Sequence, residues 1–198
     1  MQTNTNFILL CCGIVGPIIF MTACLIIGQA IPGYSASSDF ISFMTVGSHG
    51  WMERLNETVS SALVIIFALA LIAKHRRLGM VTLLAGVTGV ATALFPTSTE
   101  FWPGMLHRLF AGALFISLFG LIILSLKFIK SQKWKFFSLG IIFVTFLSIL
   151  PAVIFNPGFK GVLQRVAVFS VQIWVMCFAL YFVKKSLKQQ SAELVNQQ

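Results

Sequence analysis

Three arginines stand at matching positions near the start of three apolar segments. These segments share the form Gly-x-x-polar-Arg-aliphatic, at residues 50–55, 104–109 and 161–166. The arginines are Arg54, Arg108 and Arg165. A guanidinium group is planar and donates paired hydrogen bonds, so it suits a phosphate or a carboxylate. The pattern predicts recognition of an anionic group; the alternative is that the arginines anchor helices to phosphates of the outer leaflet.

Further polar side chains follow the arginines at helical spacing. Glu57 and Ser61 follow Arg54, and Gln172 follows Arg165. Residues three, four and seven positions apart share one face of a helix, and polar groups are costly against lipid, so these faces should point into the bundle. We predict a polar, arginine-rich cavity, open to the extracytoplasmic side, that binds or processes an anionic lipid or lipid-like molecule. Its candidate ligand-binding residues are Arg54, Glu57, Ser61, His107, Arg108, Gln164, Arg165 and Gln172.

A second group of candidates combines histidines with acids on the same side. His49, Glu53 and Glu57 are spaced so that they align if their helix begins one turn early. A divalent metal or an acid–base pair would use such a set, but hydrogen-bonded histidines at the membrane interface explain it more simply, so we predict no metal site. No haem, nucleotide or zinc motif is present in the sequence, so cofactor, catalytic residues and enzymatic activity stay open. The secondary candidates are His49, Glu53, Asp39 and Glu100.

The composition predicts that these residues are carried by membrane-spanning helices. Of the 198 residues, 58% are hydrophobic and 10% are charged, and the mean hydropathy is +0.93. Spanning a hydrocarbon core of about 30 Å takes roughly 20 apolar residues. We predict an all-α polytopic membrane protein, with residues 1–198 forming a single transmembrane domain. The six predicted spans are 7–30, 51–73, 78–95, 104–126, 136–155 and 162–183.

The distribution of charge predicts the orientation. The formal net charge is +9, and basic clusters follow the second, fourth and sixth spans, at residues 74–77, 127–135 and 184–188. Loops rich in lysine and arginine stay in the cytoplasm, so we expect both termini there, in a multi-pass protein of the cell membrane. Anionic lipid headgroups explain the basic loops, so membrane lipids are the expected partners and nucleic acid is not.

The matching helix starts also predict an internal repeat. Each arginine segment follows a turn that contains proline: Pro32, Pro96 or Pro157. We therefore predict three quasi-repeated helical hairpins around a threefold axis. Gly86 and Gly89 offer a small-residue face for close packing of the third helix.

The first outer loop is long and contains a short apolar segment. We predict that Ser38 and Asp39 cap a segment ending at Val46, whose apolar side chains lie at the membrane interface as a lid.

The order of these motifs resembles a known family. Residues 32–35 (Pro-Gly-Tyr-Ser), 95–97 (Phe-Pro-Thr), His107 and the pair 164–165 (Gln-Arg) are similar to the bacterial and archaeal membrane proteins called domain of unknown function 998. The resemblance covers nearly the whole chain. It implies a six-helix membrane domain and brings no substrate, cofactor or catalytic residue. An acidic residue often follows Phe-Pro-Thr in that family, whereas Ser98 follows here.

Three functions fit these features. Binding of a lipid-like ligand ranks first because of the predicted cavity. An accessory or structural subunit of a membrane complex ranks second, with a protein partner or a second copy of the chain left open. A small transporter ranks third, because the cytoplasmic halves of the spans are nearly all apolar and offer no polar path through the membrane.

Overall fold

Six long helices account for nearly all of the computed structural model, which describes residues 2–98 and 100–195. One 3-10 turn, Ile41–Thr45, lies between the first two helices, and the described residues contain no β-strand. The helices are α1 Gln2–Ala30, α2 Gly50–Lys74, α3 Arg76–Leu94, α4 Phe101–Phe128, α5 Gln132–Ile154 and α6 Lys160–Val195.

All six helices are long and apolar enough to cross a bilayer, which confirms the six predicted spans. The helix ends differ from the predicted spans, because helical hydrogen bonding continues where the apolar run stops. The largest difference is in α6, whose 36 residues extend to Val195 instead of ending at Val183. The lysines and glutamines after Val183 are good helix formers, so α6, about 54 Å long by helical rise, extends beyond the hydrocarbon layer. The protein is therefore a multi-pass membrane protein.

The helices pack in the order α5, α6, α1, α2, α3, α4, so that α1 and α2 lie in the middle of the series. The two outermost members, α4 and α5, contact each other only slightly. Glycines allow the closest approaches. A Cβ atom at Gly13 of α1 would lie 2.6 Å from the Phe67 ring of α2, and one at Gly86 of α3 would lie 2.6 Å from Ile65. The predicted small-residue face of α3 is thus packed against α2.

The bundle has two chemically different ends. The basic end carries the N-terminus of α1, the α2–α3 and α4–α5 turns, and the last turns of α6, with ten lysines and arginines in all. The opposite end, which we call the long-loop end, carries residues 31–49 and the α3–α4 and α5–α6 turns. An aromatic core lies nearer the basic end, where Trp174 and Phe178 stack with 4.9 Å between ring centroids. The Trp174 indole nitrogen donates a hydrogen bond to the Ser138 hydroxyl at 2.9 Å, which satisfies its polar group within the apolar core.

The glycines of the shared helix starts have a common packing role. Gly50, Gly104 and Gly161 are all buried. A Cβ atom at any of them would collide with a backbone carbonyl oxygen of a loop: that of Thr45, Ser98 or Asp39 respectively. Glycine therefore lets each loop lie directly on the first turn of a helix. The threefold hairpin repeat itself stays a prediction.

The segment after Phe40 differs in detail from the expected interfacial lid. Asp39 does not cap it: the Asp39 carboxylate accepts a hydrogen bond from the Ser35 amide at 2.8 Å, and the 3-10 turn has no side-chain cap. Ile41 and Met44 are buried and belong to a cluster with Phe20 and Cys24 of α1, whereas Phe43 is exposed. Apolar contact with α1 thus holds the segment over the bundle.

Candidate functional site

A cavity of about 140 Å³ lies inside the half of the bundle nearest the long-loop end. Its walls come from α1, α2, α3, α4, α6 and the 3-10 turn, whereas α5 contributes none of them. Most of the wall is apolar. Its polar residues are Ser42, Glu57, Ser60, Ser61, Thr92, His107, Gln164 and Gln172.

Glu57 is the one acidic residue among the described lining residues, which include no lysine or arginine. Its Oε2 atom is buried and has no hydrogen-bond partner among residues 2–98 and 100–195. An unpaired buried polar group lowers the stability of a folded protein by roughly 1–3 kcal/mol, as measured with mutants. A hydrogen-bond donor on a ligand that reached this oxygen would offset that loss.

A hydrogen-bonded chain that does not include Glu57 lies beside it on the same helix and runs from Ser60 towards the long-loop end. The Asn56 side-chain amide donates to Glu53 Oε2 and to the Phe20 carbonyl oxygen, both at 3.2 Å. The Ser60 hydroxyl donates to Asn56 Oδ1 at 3.4 Å. Glu53 is fully buried, and its Oε1 atom has no partner among the described residues. This chain ties α2 to α1 and fixes the wall beside Glu57.

His107 forms part of the α4 wall. Its Nδ1 atom lies 2.8 Å from the Phe95 carbonyl oxygen, which closes the α3–α4 turn. A carbonyl oxygen only accepts, so Nδ1 carries the hydrogen and donates it. The other ring nitrogen, Nε2, has no hydrogen-bond partner in the described ranges and is left for the cavity that His107 lines.

Gln164 lies in the cavity wall at the long-loop end, next to the 3-10 turn. Its Oε1 atom accepts a hydrogen bond from the backbone amide of Ile41 at 2.5 Å, which joins α6 to the 3-10 turn. Gln172 lies two turns further along α6 and also lines the cavity. The two amides therefore lie about two turns apart on the α6 wall.

Arg165 holds the long loop and does not line the cavity. Its Nη1 atom donates to the carbonyl oxygens of Ala36 at 2.6 Å, Asp39 at 3.2 Å and Gly161 at 3.0 Å, and Nη2 donates to the Tyr34 hydroxyl. Burial of the phenol raises the pKa of Tyr34 above its ordinary value, against the opposing effect of the Arg165 guanidinium. Arg165 is only 8% exposed, and uncharged carbonyl and hydroxyl oxygens solvate its cation, whereas its Nε atom has no hydrogen-bond partner among the described residues.

The other two arginines also lie outside the cavity lining. Arg54 is half-buried and Arg108 is exposed. The expected convergence of the three guanidinium groups on one cavity is therefore not observed. Successive helix residues point about 100° apart, so a helix that turns His107 or Gln164 inward turns the following arginine away.

The secondary candidates are dispersed. His49 is exposed and its Nδ1 atom is 3.1 Å from the Ser48 hydroxyl. Glu100 is exposed at the start of α4, and Asp39 bonds within its loop. Among the described residues, no group of three or more histidines, cysteines or acids is placed to hold a metal ion.

Five of the predicted ligand-binding candidates line the cavity, namely Glu57, Ser61, His107, Gln164 and Gln172, and their role in binding stays a prediction. Three polar lining residues, Ser42, Ser60 and Thr92, were missed, as was Asn56, which supports the wall. Asn56 and Ser60 follow Glu53 at helical spacing within an apolar run, and this signal could have identified both.

The comparisons with known proteins give the family. No curated protein and no solved structure is significantly similar to the chain. A family model described as "Protein of unknown function (DUF998)" matches residues 14–181, which include all of α2 to α5, most of α1 and α6, and every cavity residue. The resemblance noted from the short motifs is thereby confirmed, and the chain belongs to the DUF998 family.

Proposed function

We infer that the protein binds an amphiphilic, lipid-like small molecule in the cavity near the long-loop end. The observation that carries this inference is the Glu57 carboxyl, which lines a mostly apolar cavity while its Oε2 atom has no hydrogen-bond partner among the described residues. Ligand pockets commonly combine apolar walls with a few convergent polar groups. With the basic end in the cytoplasm, as the charge distribution predicts, this cavity lies in the outer half of the membrane.

The polar part of the ligand is a hydrogen-bond donor, and an amine or ammonium group fits best. Glu57 is an acceptor when ionised, and no lysine or arginine is among the described lining residues. The expectation of an anionic ligand rested on three guanidinium groups that lie elsewhere. An anionic headgroup beside Glu57 would be repelled, whereas a cationic one would be paired.

The apolar part of the ligand lies towards the membrane centre. Apolar parts of the wall come from α4 and α6, namely Leu114, Phe115 and Leu118 of α4 and Val168 and Val175 of α6. Since α4 contacts α5 only slightly, the α4–α5 seam is the proposed route from the lipid. The Phe119 and Phe146 rings stack across this seam with 5.0 Å between centroids.

The opposite end of the cavity supports binding over transport. Val175 is the deepest α6 residue of the lining, and the next turn belongs to the aromatic core with Phe178. Trp134 of α5 packs on the same core, with its ring 5.5 Å from that of Trp174. Among the described residues, this aromatic core lies between the cavity and the basic end, which favours a site with one entrance.

Native mass spectrometry of the full-length protein tests the proposal. We expect the wild-type protein, released from mild detergent, to retain a bound amphiphile of defined mass. Glu57→Gln should lower its occupancy at least fivefold, because the amide removes the negative charge and presents a donor to a donor. Glu100→Gln is the matched control, since it removes the same charge from an exposed position outside the cavity.

Two outcomes contradict the proposal. One is the absence of any retained species under conditions that preserve the folded protein. The other is equal occupancy in Glu57→Gln and Glu100→Gln.

A further inference from the structure

A second cavity, of about 220 Å³, lies at the basic end between α1, α2 and α6. It is separate from the ligand cavity and shares no lining residue with it. Its wall combines apolar residues of all three helices with Lys74, His75, Lys185, Ser186 and Gln189. The described lining contains no acidic residue. We call it the basic-end cavity.

Lys74 and Lys185 both affect the same side chain of this cavity, the imidazole of His75. Burial, followed by the positive charges of Lys185 and Lys74, lowers the pKa of His75 below its ordinary value. Lys185 belongs to α6 and Lys74 to the end of α2, so two separate helices bring their ammonium groups near one imidazole. Because two helices contribute, more positive charge lies around His75 than one basic segment alone would supply.

Ser186 provides an unpaired hydroxyl in the same wall. The residue is only 6% exposed and lines the cavity. Four other helix serines bond back to a backbone carbonyl, as Ser117 does to Ala113 at 2.7 Å. Ser186 makes no such bond, and its hydroxyl has no partner within the described part of the chain. A hydroxyl that lines a cavity and has no protein partner can donate a hydrogen bond to a ligand.

The His75 side chain has a fixed position in this wall. α2 ends and α3 begins at His75, which places the imidazole at the turn between the two helices. The His75 ring is held in place by Phe182 and Phe128, with centroid distances of 5.3 and 5.7 Å.

We propose that the basic-end cavity binds a phosphate group, with Lys74, Lys185 and the Ser186 hydroxyl as its donors. A tetrahedral phosphate needs several donors from different directions, and the two helices supply them. The phosphate belongs to a phospholipid headgroup or to a soluble phosphate compound, and these sources share the same chemistry.

Titrations of the full-length protein in nonionic detergent micelles test this site. The two probes are inorganic phosphate and short-chain phosphatidylglycerol. The readout is the imidazole resonance of His75, which is assigned with a His75→Gln variant since the chain has three histidines. Bound phosphate offsets the lysine charges, so we expect the pKa of His75 to rise on binding.

A matched pair of lysines gives the control. Lys185→Gln should weaken binding about fivefold, by the usual contribution of a cation near an anionic group. Lys184→Gln removes the same charge from the next residue, which is exposed and outside the lining, and should change the affinity less than twofold. Ser186→Ala should weaken binding severalfold without any change of charge.

The outcomes separate the two sources and can overturn the proposal. Binding of phosphatidylglycerol with no response to inorganic phosphate supports a lipid headgroup. Equal affinity for both probes supports a soluble phosphate compound. If neither probe shifts the His75 resonance, or if Lys184→Gln and Lys185→Gln behave alike, the site does not exist. None of these outcomes depends on the ligand of the other cavity.

Discussion

Arg165 of α6 donates a hydrogen bond from Nη1 to the carbonyl oxygen of Ala36, at 2.6 Å. The two residues are 129 positions apart in the chain. Through this contact the last helix holds the loop that follows the first helix, and so closes the bundle at the long-loop end. The neighbouring Gln164 holds the next part of the same loop through the Ile41 amide. The roof of the ligand cavity therefore depends on two adjacent residues of α6.

Replacement of Arg165 tests this role. Arg165→Lys keeps the charge but cannot donate in several fixed directions at once, so loop carbonyl oxygens lose their partners. Since hydrogen bonds to charged groups contribute about 1.5–3 kcal/mol each, we expect a loss of roughly 3 kcal/mol in the free energy of unfolding. Faster hydrogen exchange should appear in residues 34–41. Arg108→Lys, at an exposed position, should leave both measurements unchanged.

The ionisation of Tyr34 should make the stability of the folded protein depend on pH in the alkaline range. The pKa of Tyr34 is raised above its ordinary value of 10.0, chiefly by burial. A raised pKa in the folded state means that folding favours the protonated phenol. This contribution is complete below about pH 10 and is lost as the pH rises through the folded value. The stability difference between wild type and Tyr34→Phe should therefore shrink above pH 10, measured as unfolding midpoints of both proteins across that range. A constant difference up to pH 11.5 would contradict the assignment.

Replacement of Gly161 by alanine tests how closely the long loop packs on α6. An added Cβ atom would lie 2.6 Å from the Ala36 carbonyl oxygen and would also collide with that of Asp39, so Gly161→Ala must displace the loop. We expect a loss of about 1–3 kcal/mol, as for other overpacked sites. Gly140 of α5 has no atom within 4 Å of the corresponding point. Gly140→Ala should thus stabilise the helix by up to about 1 kcal/mol, and a thermal unfolding series on both variants would show opposite shifts.

If the ligand enters and leaves through the α4–α5 seam, a wider seam should make it leave faster. Phe146→Ala removes the ring that stacks on Phe119 and widens the proposed route. The bound species should then exchange several times faster, followed by native mass spectrometry after addition of a labelled competitor. Phe143→Ala is the control, because Phe143 is an exposed ring on the same helix. Equal exchange rates in the two variants would place the entrance elsewhere.

The polar residues of the cavity were partly predictable because helical spacing is local. Glu57 and Ser61 share a face of α2 whatever surrounds it, and both line the cavity. The prediction that the arginines line the cavity was wrong, because helical spacing does not say which side of a helix faces inward. Glu53 and Arg54, like Gln164 and Arg165, are adjacent polar residues that point about 100° apart, and either could face inward. Contacts with other helices select one of them.

The sequence by itself determined the number of membrane spans and the family, because apolar runs of sufficient length and a set of short motifs are both written along the chain. It also indicated that Gly161 and its counterparts matter. Only the tertiary structure decided what they do: Gly161 and Arg165 bind the loop at residues 36–39, more than 120 positions earlier. It likewise decided that Glu57, and none of the three arginines, faces the cavity. Both outcomes depend on the rotation of each helix about its axis, which is set by packing against neighbours that are distant in sequence.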